Sequence, residues 1–104
     1  MTVTLSVDFK FSASHRLPVY VGKCNRLHGH NYRLRVRVRG AVDPITGMVA
    51  DFHDIESQMH PLLERVDHHH LNELVENPTA ENVVVWMWEQ LVIPGLVSLE
   101  LWET

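Results

Sequence analysis

The chain has 104 residues, a net charge of −4 with histidine neutral, and 45% hydrophobic residues. This length supports a single domain, residues 1–104, with a modest core, so association with further copies is a natural source of stability. The acidic balance argues against a general nucleic-acid partner, and no apolar run reaches the roughly 18 residues of a membrane span. No basic segment leads into an apolar one at the start, which argues against a secretory signal, and the single cysteine excludes an internal disulfide and fits a reducing cytoplasm.

Residues 2–14 read as a strand. Val3, Leu5, Val7, Phe9, Phe11 and Ala13 alternate with Thr4, Ser6, Asp8, Lys10, Ser12 and Ser14, the period of a half-buried strand. His15 continues the apolar phase. Residues 15–30, with Pro18, Gly22 and Gly29, read as a loop. Residues 31–42 read as a second strand, with Tyr32, Leu34, Val36 and Val38 facing one way and Arg33, Arg35, Arg37 and Arg39 the other. The arginine stripe is expected to be a solvated sheet face, or an inter-subunit surface paired with acidic groups. Asp43-Pro44-Ile45-Thr46-Gly47 reads as a turn. Met48–Phe52 is expected to be a short extended piece that pairs back. A helix is expected from about Asp54 to Val66, with Ile55, Met59, Leu62, Leu63 and Val66 on its buried face, and with Pro61 kinking it or marking a junction. Thr79 is expected to cap a second helix, with Val83, Val84, Met87, Trp88 and Leu91 as its stripe and Pro94-Gly95 ending it. Val97–Glu103 reads as a further strand. Helices segregated onto one face of an antiparallel sheet make the fold class α+β.

The densest chemistry lies in Cys24-Asn25-Arg26-Leu27-His28-Gly29-His30. Two histidines two apart on an extended segment point to the same face. His28 and His30 are in phase with the apolar side of their strand, and His15 with that of the other. Three imidazoles and an open position are the coordination of a catalytic zinc; the alternative is three buried, hydrogen-bonded histidines. Cys24, near a metal and an imidazole, would lose its proton readily and act as a base; buried in apolar surroundings it would be inert. Asp67 beside His68 fits a proton shuttle near neutral pH, and equally a polar helix terminus. The run His68-His69-His70 is a poor second metal site, because consecutive residues do not share a face. Glu103 shares the phase of Val97, Leu99 and Leu101, whereas Glu100 faces the other way. An inward carboxylate is unfavourable unless a ligand satisfies it, and a planar edge with two N–H donors would do so.

Six segments together resemble the 6-pyruvoyltetrahydropterin synthase family, most closely its bacterial 6-carboxytetrahydropterin synthase branch of queuosine biosynthesis. They are Phe9–Leu17, Cys24–Tyr32, Gly47–Phe52, Val66–Asn72, Glu76–Asn82 and Trp102–Thr104. The branch assignment rests on Cys24 in its Cys-x-x-x-His-Gly-His setting. The resemblance implies a tunnelling fold, a four-stranded antiparallel sheet with two helices, whose copies join edge to edge into a trimeric barrel that stacks into a hexamer. It implies zinc on His15, His28 and His30, Cys24 as the proton-abstracting base, and Asp67 and His68 as acid–base partners from a neighbouring subunit. It implies that Glu103, helped by Thr104, holds the pterin edge of 7,8-dihydroneopterin triphosphate. The reaction would release triphosphate and acetaldehyde and leave a 6-carboxy group, without a redox cofactor. Two other readings remain: a pyruvoyl-forming synthase that shares zinc, base and anchor, and a non-catalytic zinc-binding protein.

Overall fold

The structure, a computed structural model, describes residues 1–104, with the side chain of Cys24 outside the description. The sheet is built on a long antiparallel ribbon, β1 (Thr2–His15) and β2 (His28–Ala41). It continues with α1 (Phe52–Val66), the short β3 (His69–His70), α2 (Ala80–Gln90) and β4 (Leu96–Glu103). The order across the sheet is β3-β1-β2-β4, with β3 parallel to β1 and the other pairs antiparallel.

Alternation in β1 and β2 decides which face is covered. Phe11, Ala13, Tyr32, Leu34, Val36 and Val38 are buried on one side. Against them pack Ile55, Met59, Leu62 and Val66 from α1, and Val83 and Met87 from α2. Both helices therefore lie on one face. Thr79 caps α2 as expected, while α1 starts at Phe52, ahead of the expected Asp54, with Asp51 as its cap. The Asp51 carboxylate accepts from the His53 N–H, and the Thr79 hydroxyl accepts from the Asn82 N–H, satisfying donors that a helix start leaves free.

The opposite phase carries the arginines. The Arg35 guanidinium donates to both Asp8 oxygens at 2.7 and 3.0 Å, and Arg37 pairs with Glu100 at 3.2 Å. The guanidinium of Arg33 lies 4.1 Å from the centre of the Trp102 ring. Arg35, by hydrogen bond and by charge, holds the Asp8 carboxyl below the usual range. The stripe is thus the face without helices, with acidic partners within the same chain.

Several elements depart from expectation. The second strand begins at His28 rather than residue 31, because its first residues find partners in the end of β1. Met48–Phe52 makes no strand: residues 48–51 are irregular and Phe52 already belongs to α1. Pro61 lies inside α1 without ending it. The carbonyl that Pro61 leaves without a donor is that of Ser57, on the exposed side, where water can serve it. Leu63 is only half-buried, and Trp88 is 45% exposed while Trp86 takes the half-buried place beside Arg65. The second helix ends at Gln90, before Pro94-Gly95. β4 starts at Leu96, and a bulge opposite Arg37 and Val38 leaves Val97 49% exposed, so Leu96 takes the inward place. β3 was not foreseen; two histidines give no period to read.

Two glycines test the turn chemistry. Gly47 and Gly95 both have positive φ, 72° and 78°. A Cβ on Gly47 would meet open space, whereas one on Gly95 would lie 2.6 Å from the Arg39 carbonyl oxygen. Gly47→Ala should therefore cost only the left-handed backbone penalty, about 1–2 kcal/mol. Gly95→Ala should cost ~3 kcal/mol or more, since backbone must move as well. Urea melts of both variants check this; equal losses would show that β4 and β2 are not so closely apposed.

Candidate metal centre

The histidines meet because of the register between β1 and β2. His15 lies directly opposite His28, and Ala13 opposite His30. Opposed residues of an antiparallel pair share a face, and His30 shares it with His28 by the two-residue period. The rings stand edge-on to one another, with centroids 4.5 Å apart for His15–His28, 5.0 Å for His15–His30 and 4.9 Å for His28–His30. One ligand atom from each lies within 4.8 Å of the others.

Each ring is fixed from behind by a main-chain carbonyl. The Nδ1–H of His15 donates to Pro78, that of His28 to Arg26 and that of His30 to Thr104, each at 2.7 Å. A carbonyl only accepts, so in each neutral ring Nε2 is the atom with the free lone pair. The Nε2 atoms of His15 and His28 are 2.9 Å apart. Two lone pairs at that distance repel unless a proton or a cation stands between them. Two ligands about 2.0–2.1 Å from one tetrahedral ion would stand ~3.3 Å apart, close to what is seen. The donor set fits a metal ion. His15 is completely buried, and burial pushes its imidazole pKa down against the opposing pull of the Pro78 carbonyl. A neutral ring is the form that ligates.

Glu103 and Thr104 reach the cluster from β4. Glu103 lies opposite Tyr32, so it shares the covered face, and its carboxylate is 3.7 Å from His30 Nε2. Glu100 lies opposite Arg35 on the other face. The Thr104 hydroxyl donates to the Asn31 carbonyl at 2.7 Å, while the Thr104 carbonyl holds His30.

Asp67 and His68 sit at the outer edge of β1. The Ser12 N–H donates to Asp67 at 2.9 Å, and His68 Nδ1 is 3.0 Å from the other Asp67 oxygen. The Ser12 N–H first, then His68, holds the Asp67 carboxyl below its usual range. His68 has a left-handed backbone, φ 57°, and donates its own N–H to Ser12. Among the described residues no hydrogen bond or ion pair joins Asp67 or His68 to the three histidines. They do line adjoining cavities that share Ser12 and Asn31. One, of about 600 Å³, includes Asp67, Trp102, Glu103 and Thr104; the other, of about 630 Å³, includes His30 and His68. Cys24, expected as the base, lies in the 3₁₀ turn Lys23–Asn25, and its side chain is outside the described residues.

Sequence reasoning missed the groups that orient the ligands. Pro78, which precedes the expected cap Thr79, is fully buried with its carbonyl on His15. Asn72 latches the chain after β1: its side chain accepts from the Arg16 N–H and donates to the Arg16 carbonyl, both at 2.8 Å. Main-chain acceptors leave no mark on residue type. Their only sequence signal was membership of the Glu76–Asn82 and Val66–Asn72 segments.

Comparison with known proteins places this geometry. The family model for 6-pyruvoyl tetrahydropterin synthase matches residues 4–104. A 6-carboxy-5,6,7,8-tetrahydropterin synthase from Synechocystis is 40% identical, over 93% of this chain and 83% of its own length. The 6-pyruvoyl tetrahydrobiopterin synthase of Homo sapiens is 37% identical, over 96% and 84%. The solved structure of Caenorhabditis elegans 6-pyruvoyl tetrahydropterin synthase superposes with a TM-score of 0.91 at 36% identity, covering all of this chain and 90% of that one. With the tunnelling fold, the sheet-end histidines and a family match across nearly its full length, the chain belongs to the 6-pyruvoyl tetrahydropterin synthase family, as a lyase of the 6-carboxytetrahydropterin synthase-like kind.

Proposed function

We propose that the chain converts 7,8-dihydroneopterin triphosphate to 6-carboxy-5,6,7,8-tetrahydropterin, with loss of triphosphate and acetaldehyde, in the making of the queuosine base. The resident metal is zinc, on His15, His28 and His30. The observation that carries this is the carbonyl-anchored imidazole cluster with the Glu103 carboxylate 3.7 Å from one ligand. Zinc, when bound, would act as a Lewis acid and make the hydroxyls of the substrate side chain more acidic. The Glu103 carboxylate accepts from the pterin 2-amino group and the adjacent ring N–H, a two-point contact that fixes the ring. Thr104 helps by holding both Asn31 and His30 in place. Cys24, as thiolate, takes a proton from a side-chain carbon. Asp67 accepts the Nδ1–H of His68 at 3.0 Å, which leaves His68 Nε2 to exchange protons with the substrate.

The working unit is a homo-oligomer, a trimer or a hexamer of two trimers, in a cytoplasmic setting. Two features support this. Among the described residues no strand pairs with the outer edge of β4 or with that of β1 from Thr2 to Phe11, and such edges are normally covered. The His68 side chain is 80% exposed and unlinked to the histidine cluster, as expected if a neighbouring copy completes the site with Asp67 and His68.

Incubation with dihydroneopterin triphosphate, read by product mass, tests the whole. 6-Carboxytetrahydropterin is the expected product. Pyruvoyltetrahydropterin would assign the chain to the pyruvoyl-forming reaction. No turnover by zinc-loaded protein would favour a non-catalytic zinc protein. Cys24→Ala should abolish turnover while zinc content and fold persist; retained turnover would remove Cys24 from the mechanism.

The His28→Ala, His30→Ala double variant should lose its zinc on metal analysis, and full occupancy there would refute the ligand set. Glu103→Gln keeps shape but loses charge and one acceptor, so pterin binding should weaken by about 1.5–3 kcal/mol. Glu100→Gln should leave pterin affinity unchanged, since its carboxylate serves Arg37 on the other face. Titration of a pterin into both variants decides between them.

A further inference from the structure

The three carbonyls behind the histidines are not held alike. Arg26 is two residues from His28, and Thr104 is stitched to Asn31 beside His30. Pro78 is 63 residues from His15 and belongs to no strand or helix. Something outside the sheet must aim its carbonyl.

The start of α2 does so. Pro78 stands between Asn77 and the capping residue Thr79. The Asn77 carbonyl accepts two bonds, from the Thr79 N–H and from the Asn82 side-chain amide, both at 2.9 Å. The Thr79 hydroxyl accepts from the Asn82 N–H at 3.1 Å, and the Thr79 carbonyl from the Val83 N–H at 2.9 Å. The turn is tied down on both sides of Pro78, and the proline ring fixes its φ. In the usual capping box the third helical residue is Glu or Gln, which accepts from the N–H of the capping residue. Here that N–H is already taken by Asn77, and the third residue is Asn82, used as a donor. Ordinary helix capping does not need this donor.

We propose that Asn82 is a positioning residue for the metal centre: through Asn77 and Pro78 it aims the carbonyl that fixes the tautomer and direction of His15. This rests on the zinc reading above. Its role is distinct from capping, and one substitution separates the two. Asn82→Asp is isosteric, replaces the amide donor facing the Asn77 carbonyl by a carboxylate oxygen, and adds a negative charge. A carboxylate in the first helical turn also favours the helix dipole, so folding should hold. Orientation of the His15 ring should suffer, because the carbonyl that accepts the other ring N–H of a ligating histidine helps set its metal affinity.

The experiment measures zinc affinity by chelator competition, the melting temperature of the zinc-free protein, and the visible spectrum of the cobalt-loaded form. The proteins are wild type, Asn82→Asp and, as a control, Glu81→Gln. Expected for Asn82→Asp are roughly ten-fold weaker zinc binding, an altered cobalt spectrum, and a zinc-free melting temperature equal to or above wild type. Glu81→Gln, which alters helix charge but not the clamp, should bind zinc as wild type does. Unchanged zinc affinity in Asn82→Asp would overturn the proposal. So would an equal loss in Glu81→Gln, or a fall in melting temperature that accompanies the loss in Asn82→Asp, since either makes the effect one of general stability. Failure of wild type itself to bind zinc would instead overturn the metal assignment.

Discussion

The antiparallel register of β1 against β2 is the constraint on which the rest depends. The same pairing that sets Phe11 beside Tyr32 sets His15 beside His28. Because side chains alternate with period two, a slip of one residue would turn every apolar group of one strand to the other face. It would also separate the imidazoles. The core and the metal cluster are therefore two ends of one ladder. Folding energy from the buried Leu34, Val36 and Val38 holds the register in which His15 and His28 meet.

Register alone brings three rings together without choosing which nitrogen points inward. That choice is made by carbonyls from three separate places: the turn before β2, the approach to α2, and the end of β4. Each accepts a hydrogen bond from the Nδ1–H and leaves Nε2 free toward the centre. Elements whose own sequences carry no metal ligand thus complete the centre. Burial contributes as well, since it lowers the imidazole pKa of His15 against the pull of the Pro78 carbonyl.

The two sheet faces divide the work. One packs helices and ends in histidines; the other carries the arginines, paired with Asp8 and Glu100 and stacked on Trp102. β4 serves both, with Glu103 on the histidine side and Glu100 on the arginine side. Such surface ion pairs add little stability, commonly ~1 kcal/mol or less. Their evident effect is to keep a row of like charges on neighbouring positions from repelling without compensation.

Much was legible in the residues themselves. Alternation in β1 and β2 was enough to assign the faces and the phase of His15, His28 and His30, because a strand repeats every two residues whatever surrounds it. The Asp43–Gly47 turn and the Thr79 cap were legible from local hydrogen-bonding chemistry. The phase of Glu103 was also readable, because the bulge at Val97 lies before Ser98 and leaves the alternation from there to Glu103 intact. The tertiary structure alone decided that β2 starts at His28, that His69–His70 forms a strand, and that Pro78 and Asn72 hold the site. The physical reason is common to these: each depends on a backbone group meeting a partner distant in the chain, and a backbone carbonyl or N–H is the same in every residue type but proline. Periodicity and side-chain chemistry are written in the sequence; the partners of its main chain are set only when the chain has folded.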